Sequence, residues 1–320
     1  MKKLKKFSAA ALAVCLLLCV ALCGCKNGEV RLPDVSYDNA PVSAYEYEIV
    51  SGEAVITGFT AENTIANLPE MLEDKPVTTV KSGAFKGNGL LQTVNLSPTI
   101  TTVEDTAFAG CTKLRSVSLP PSLTYIGDDA FYGCFGLTVV NFPAALNHIG
   151  SRAFSGCTQL ETIAFPENAV YIGTDAFAGT PWLTKQSREF VIQNGSLLKY
   201  NGSREIVTVP QDVKVISAAF TGNETVKKVI LPDTVTHLTS DAFSGCTALT
   251  DVALGKGLAV VEDAAFSGCT ALESVTFPAS IKAIGNNAFA GCDALTTVHG
   301  KAGSAAETFA KAANLEFAAG

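Results

Sequence analysis

The sequence predicts a repeat solenoid: short parallel strands stacked coil on coil with a 23-residue period, closed by a β-hairpin cap at the N-terminal end and a helix and strand at the C-terminal end. Three observations carry this expectation. Nine Ala-Phe pairs keep one register, with rings at Phe85, Phe108, Phe131, Phe154, Phe177, Phe220, Phe243, Phe266 and Phe289. Seven of their eight steps are 23 residues, and only the step from Phe177 to Phe220, at 43, departs. Around each pair runs the pattern L-x-x-V-x-[LF]-P-x-x-[LIV]-x-x-I-G-x-x-A-F-x-G-C, clearest in Leu114–Gly136 and Leu272–Ala294. Finally, each unit is too short to bury its apolar face by itself, so neighbouring coils must cover it.

In chain order, residues 1–24 read as an export signal: Lys2, Lys3, Lys5 and Lys6 precede an apolar run from Phe7 to Cys23 that is short for a spanning helix. Leu22-Cys23-Gly24-Cys25 resembles a bacterial lipobox, and the resemblance implies lipidation of Cys25 after cleavage before it. Residues 25–44 then form a lipid-anchored polar tether. The capping hairpin is expected at 45–67, where Tyr45, Tyr47 and Ile49 alternate before Gly52, and Val55 and Phe59 return. Repeats occupy 68–300. In each, a valine or isoleucine centres a strand, and a proline such as Pro120 ends it for want of an N–H. The 43-residue step predicts a β-arm at about 183–210, because Asn194-Gly195 between two apolar runs suits a type I′ turn. Residues 301–320 make the C-terminal cap: Ser304-Ala-Ala-Glu307 reads as a capping box before an Ala-rich helix, and Leu315 and Phe317 add a last strand.

Loss of the four leader lysines leaves 19 basic residues against 30 acidic ones, a net charge of about −11 that repels phosphate backbones and argues against nucleic acid. Cys111, Cys134, Cys157, Cys246, Cys269 and Cys292 share one column, three residues after Phe. Stacked side chains of one column run parallel at about 4.8 Å, which suits neither a disulfide nor a tetrahedral zinc site, so buried free thiols are expected. His148 and His237 share a column about four coils, or roughly 20 Å, apart and form no acid–base pair. Glu104, Asp128, Asp129, Asp175, Asp241, Glu262 and Asp263 crowd the turn before Ala-Phe, where acids cap a short helical turn. No catalytic residue, metal site or cofactor follows from these patterns.

The L-x-x-V-x-L-P…I-G-x-x-A-F-x-G-C signature over residues 68 to 300 resembles the BspA-like leucine-rich repeats of bacterial surface proteins. That resemblance implies a curved right-handed solenoid and a surface role in adhesion to host matrix proteins, other bacteria or epithelia. Asn88, Thr180 and Asn223 depart from the cysteine column, and Gly255 from the proline one. A ligand surface is expected where the column six before Phe turns aromatic, at Tyr125, His148 and Tyr171, beside Trp182 and Tyr200 of the β-arm. The expected function is a non-catalytic, membrane-anchored surface protein that binds a host or bacterial surface protein. A glycan-binding component of carbohydrate uptake and a structural envelope spacer are the alternatives.

Overall fold

The computed structural model describes residues 40–168 and 170–320. The leader and Cys25, with most of the tether, lie outside them. The described chain is a β-solenoid of about 12 turns with a period of about 23 residues, as the Ala-Phe register predicts. Each regular coil lays down a three-residue strand such as Ser116–Ser118 and a two-residue strand such as Tyr125–Ile126. Strands of successive coils pair in parallel, Val94 opposite Val117 and Ile126 opposite Ile149. A β-branched residue at the centre of each rung fits this pleated, inward-facing position.

The third side of each coil is the Ala-Phe turn. Its rings stack with centroids 4.7, 5.1, 5.1 and 5.6 Å apart from Phe85 to Phe177, and 5.0, 5.1 and 4.8 Å apart from Phe220 to Phe289. These spacings match the strand separation of about 4.8 Å, so rings and backbone share one repeat. Backbone bonds tie the turns together as well: Phe131 N donates to Ala153 O at 2.7 Å and Gly133 N to Ser155 O at 2.9 Å. Gly133 has φ of 67°, a left-handed conformation that explains the glycine two residues after each Phe.

The array is two piles. One continuous sheet runs from the hairpin Tyr45–Val50 and Glu53–Phe59 through Lys75–Val80 to Tyr171–Ile172. A second begins at the antiparallel pair Phe190–Gln193 and Ser196–Tyr200 and runs to Ala283–Ile284. Buried side chains divide the same way, near Leu197 and Leu198. The second hairpin repeats the first in detail. Ser51-Gly52 and Asn194-Gly195 both turn with positive φ, and each second strand continues in parallel into its pile. Phe59 leads into Phe85 at 5.2 Å as Tyr200 leads into Phe220 at 5.0 Å. The segment read as a β-arm thus carries the opening hairpin of a second pile.

At the C-terminal end, Ala305–Ala312 is a helix and Glu316–Ala319 a strand parallel to Thr297–Gly300. The expected capping box is not made: Glu307 accepts from Gly303 N at 2.7 Å, one residue before the N-cap Ser304, and Ser304 Oγ is buried without a partner among the described residues. The acidic turns also differ from expectation. Those turns hold no helix; four of the carboxylates accept from amides of adjacent coils instead, among them Asp128 from Ser151 N at 2.6 Å and Asp263 from Asn287 N at 3.0 Å.

All six cysteines of the column are free and buried. Each thiol donates to the carbonyl of the preceding coil's Phe, as Cys134 does to Phe108 O at 3.3 Å. Burial pushes Cys111 and Cys157 up to about 12, so they stay protonated thiols and poor nucleophiles at neutral pH. Titration of the described domain with a thiol reagent should therefore find six reactive groups after unfolding and none rapidly reactive before. Fewer than six without reductant would show that the ladder contains disulfides.

Candidate functional site

The parallel register sets Tyr125 opposite His148 and His148 opposite Tyr171. Their rings stack in order, Tyr125 on His148 at 4.5 Å and 11°, His148 on Tyr171 at 4.9 Å and 13°. All three are half-buried. Tyr125 and His148 thus remain partly open to solvent. Burial holds the His148 imidazole below the ordinary histidine range, against the opposing pull of Asp128 and Asp105, so the ring is neutral at pH 7. The Tyr125 hydroxyl is raised by burial and by Asp105, Asp128 and Glu104.

Tyr171 belongs to the contact between the piles. Its hydroxyl lies 3.2 Å from Glu262 Oε1, and its ring meets His237 edge-on at 5.7 Å. Glu262 also lies 2.8 Å from His237 Nε2 and accepts from Ser240 N at 2.8 Å and Ser240 Oγ at 3.1 Å. Beside it, Thr174 Oγ1 donates to Ser240 O at 2.7 Å and sits 2.8 Å from Thr239 Oγ1, while Ser217 Oγ donates to Gly173 O at 2.7 Å. The last coil of the first pile is laid across the side of the second. This corrects the expected separation of His148 and His237: one ring, Tyr171, stands between them, because the piles meet side-on instead of continuing as one stack. Val215 pairs with His237, five residues before Phe220 where His237 stands six before Phe243, because the coil before Phe220 is one residue shorter ahead of its Phe.

Trp182 caps the first pile, 5.4 Å from both Phe165 and Phe177, and lines a cavity of about 290 Å³ with Gln186, Arg188 and Val191. Tyr200 does not join the others. It is 7 % exposed, packed on Phe190 and Phe220, and takes the place of a column phenylalanine as the first ring of the second pile. Its ring offers no surface to a ligand.

Two rings escaped the sequence reading. Tyr132 and Phe135 are 48 % and 47 % exposed on the turn side of the coil that also carries Tyr125. Tyr132 borders a shallow cavity of about 460 Å³ with Lys86, Asp129 and Arg152, the last two joined by a bidentate ion pair at 2.9 and 2.6 Å. Phe135 was detectable in principle, because its column otherwise holds Gly89, Thr112, Thr158, Pro181, Glu224, Thr247, Thr270 and Asp293. Among the described residues no group of three or more His, Cys, Asp or Glu is placed to hold a metal ion.

A family profile described as BspA type leucine rich repeat region, in six copies, matches residues 78–194 and again residues 192–313. The chain belongs to the BspA-type leucine-rich repeat family. The two matches of this BspA-type protein meet at the turn that opens its second pile, Asn194-Gly195. A leucine-rich repeat protein of T. pallidum is similar at 23 % identity, with 80 % of this chain and 90 % of that one covered and a TM-score of 0.39. A leucine-rich cell surface protein of Faecalibacterium prausnitzii is 22 % identical over 81 % of this chain and 88 % of its own, TM-score 0.35. The pneumococcal vaccine antigen PcpA is 19 % identical over 80 % and 79 %, TM-score 0.40. No curated protein matches significantly.

Proposed function

We propose that this BspA-type protein is a non-catalytic, lipid-anchored surface protein whose solenoid binds a protein on a host or bacterial surface. The observation that carries the reading is the set of solvent-facing rings in one stretch of the first pile: Tyr125 stacked on His148 at 4.5 Å, with Tyr132 and Phe135 on the turn side of the same coil. Rings held rigidly by a backbone repeat lose little entropy on contact, which is why aromatic side chains anchor recognition surfaces. The lipobox-like Leu22–Cys25 and the basic leader support export and anchoring through Cys25.

The test is binding of the domain to an array of extracellular-matrix proteins, mucins and polysaccharides. A Tyr125→Ala/His148→Ala double variant and a Tyr132→Ala/Phe135→Ala double variant are run beside it. Tyr171 is left intact because it holds the piles together. Protein binding lost by at least tenfold in one of the doubles is the expected result, with roughly 1.4 kcal/mol or more behind it. Binding confined to polysaccharide supports the glycan alternative, and intact binding in both variants contradicts the assignment of these rings. Since His148 is held neutral, binding through it should be constant from pH 7 to 8. Separately, Cys25→Ser should release the protein from the membrane fraction.

A further inference from the structure

Where the piles join, the row of three-residue strands loses a rung. Among the described residues, the strand Thr162–Ala164 pairs only with Val139–Asn141, and the next strand of that row, Ile206–Thr208, pairs only with Lys228–Ile230. The chain follows the ladder as far as Trp182, whose N–H donates to Leu160 O at 2.9 Å, and then leaves it as the short helix Pro181–Thr184. The parity of the ladder turns the N–H and C=O of Ile163 outward. The amide of Phe165 is likewise left over among the described residues, although its counterpart one coil earlier, Phe142, donates to Ala164 O at 2.9 Å. Ile163 and Phe165 are only partly covered, as are Val117 and Leu119 at another break in this row, between Ser116–Ser118 and Val139–Asn141, but there the next coil still lies alongside.

We propose that this open edge is a docking site for an extended polypeptide of another protein, which adds as the missing rung and brings an apolar residue next to a carboxylate. Parallel or antiparallel, an added strand satisfies the outward backbone groups, the mode by which exposed sheet edges recognise peptides. The cavity of about 290 Å³ against this edge supplies Phe165, Trp182 and Val191 for an apolar side chain. Arg188 lines it too and makes no ion pair among the described residues, whereas the neighbouring charges are matched, Lys185 with Glu161 at 3.0 Å and Arg204 with Glu189 at 3.3 Å. That unmatched cation selects an acidic strand.

Trp182 is the chain's single tryptophan, so its fluorescence reports on this groove directly. The probe is a blocked peptide copying this protein's own acidic rung, Thr250–Leu254, titrated into the full chain. A saturable change in Trp182 emission below about 1 mM is expected. Binding should weaken about fivefold or more in Arg188→Gln, and for a peptide N-methylated at alternate amides, which keeps the side chains and removes strand donors. The Tyr125→Ala/His148→Ala variant should bind the peptide as the parent does, which separates this edge from the stacked rings. Absence of a saturable change, equal binding of the N-methylated peptide, or saturation by an acidic oligosaccharide alone would each overturn the proposal.

Discussion

Phe131→Ala should destabilise the protein by about 3–5 kcal/mol, as expected for a fully buried interior ring of the stack. Phe131 is fully buried, with Phe108 and Phe154 each 5.1 Å away on its two faces. Removing the ring opens a cavity whose walls are held apart by two other rings and by the coil-to-coil bond from Phe131 N to Ala153 O, so the site has little room to collapse. Phe289, near the end of its pile and 8 % exposed, should cost less when truncated to alanine. Urea unfolding followed by circular dichroism measures both. Equal losses at the two positions would mean that the stack does not confer stability through its interior rings.

The second large effect lies at the contact between the piles. Glu262→Ala removes the acceptor shared by Tyr171, His237 and Ser240, leaving a half-buried phenol and a backbone amide without partners. A loss of about 2 kcal/mol is expected, at the lower part of the range for charged hydrogen bonds because the carboxylate is partly exposed. The effect should also depend on pH. Burial alone would raise the carboxyl, but bonds from His237 and Ser240 outweigh it and hold Glu262 below the usual carboxylate range. A depressed folded value means that the stabilisation is complete above about pH 5 and fades as pH falls through that value. Asp175 runs the other way: burial and the nearby Asp241 raise it, Arg152 opposing, so its ionised form weakens the fold at neutral pH. Denaturation midpoints compared between about pH 7 and about pH 3.5 should therefore show the Glu262→Ala difference shrinking in acid. A difference that stays constant would show that Glu262 acts through packing and not through its charge.

The coil architecture was legible because it is written in columns. Phe and Cys recur at fixed positions, and a 23-residue step admits one rung per coil. The opening hairpin was legible from the alternation at Tyr45, Tyr47 and Ile49, and the second hairpin from Asn194-Gly195. Its role as the start of a separate pile was not, because nothing local distinguishes an inserted arm from a cap. Yet a signal existed in the column after Ile. Gly127, Gly150 and Gly173 stand there in the first pile, where a Cβ would lie 2.3 to 2.6 Å from the preceding coil. The second pile has Ser217, Thr239 and Glu262 in that column, and all three side chains meet the first pile. The aromatic column misled in part for a related reason. Tyr125 and His148 face solvent, but Tyr171 is the ring on which the piles turn, and Tyr200 belongs to the phenylalanine stack although it lies outside the 23-residue register.

The side-on meeting of two capped piles decides which rings are exposed and where the missing rung falls, so it is the claim to test most directly. Thr174→Cys with Thr239→Cys places two thiols where hydroxyls lie 2.8 Å apart, across 65 residues of sequence. Mild oxidation should join them in high yield, with the six native thiols still free. In one uninterrupted stack the same positions would be three coils, about 14 Å, apart and could not bridge. Failure of the pair to crosslink in the folded protein would contradict the two-pile account.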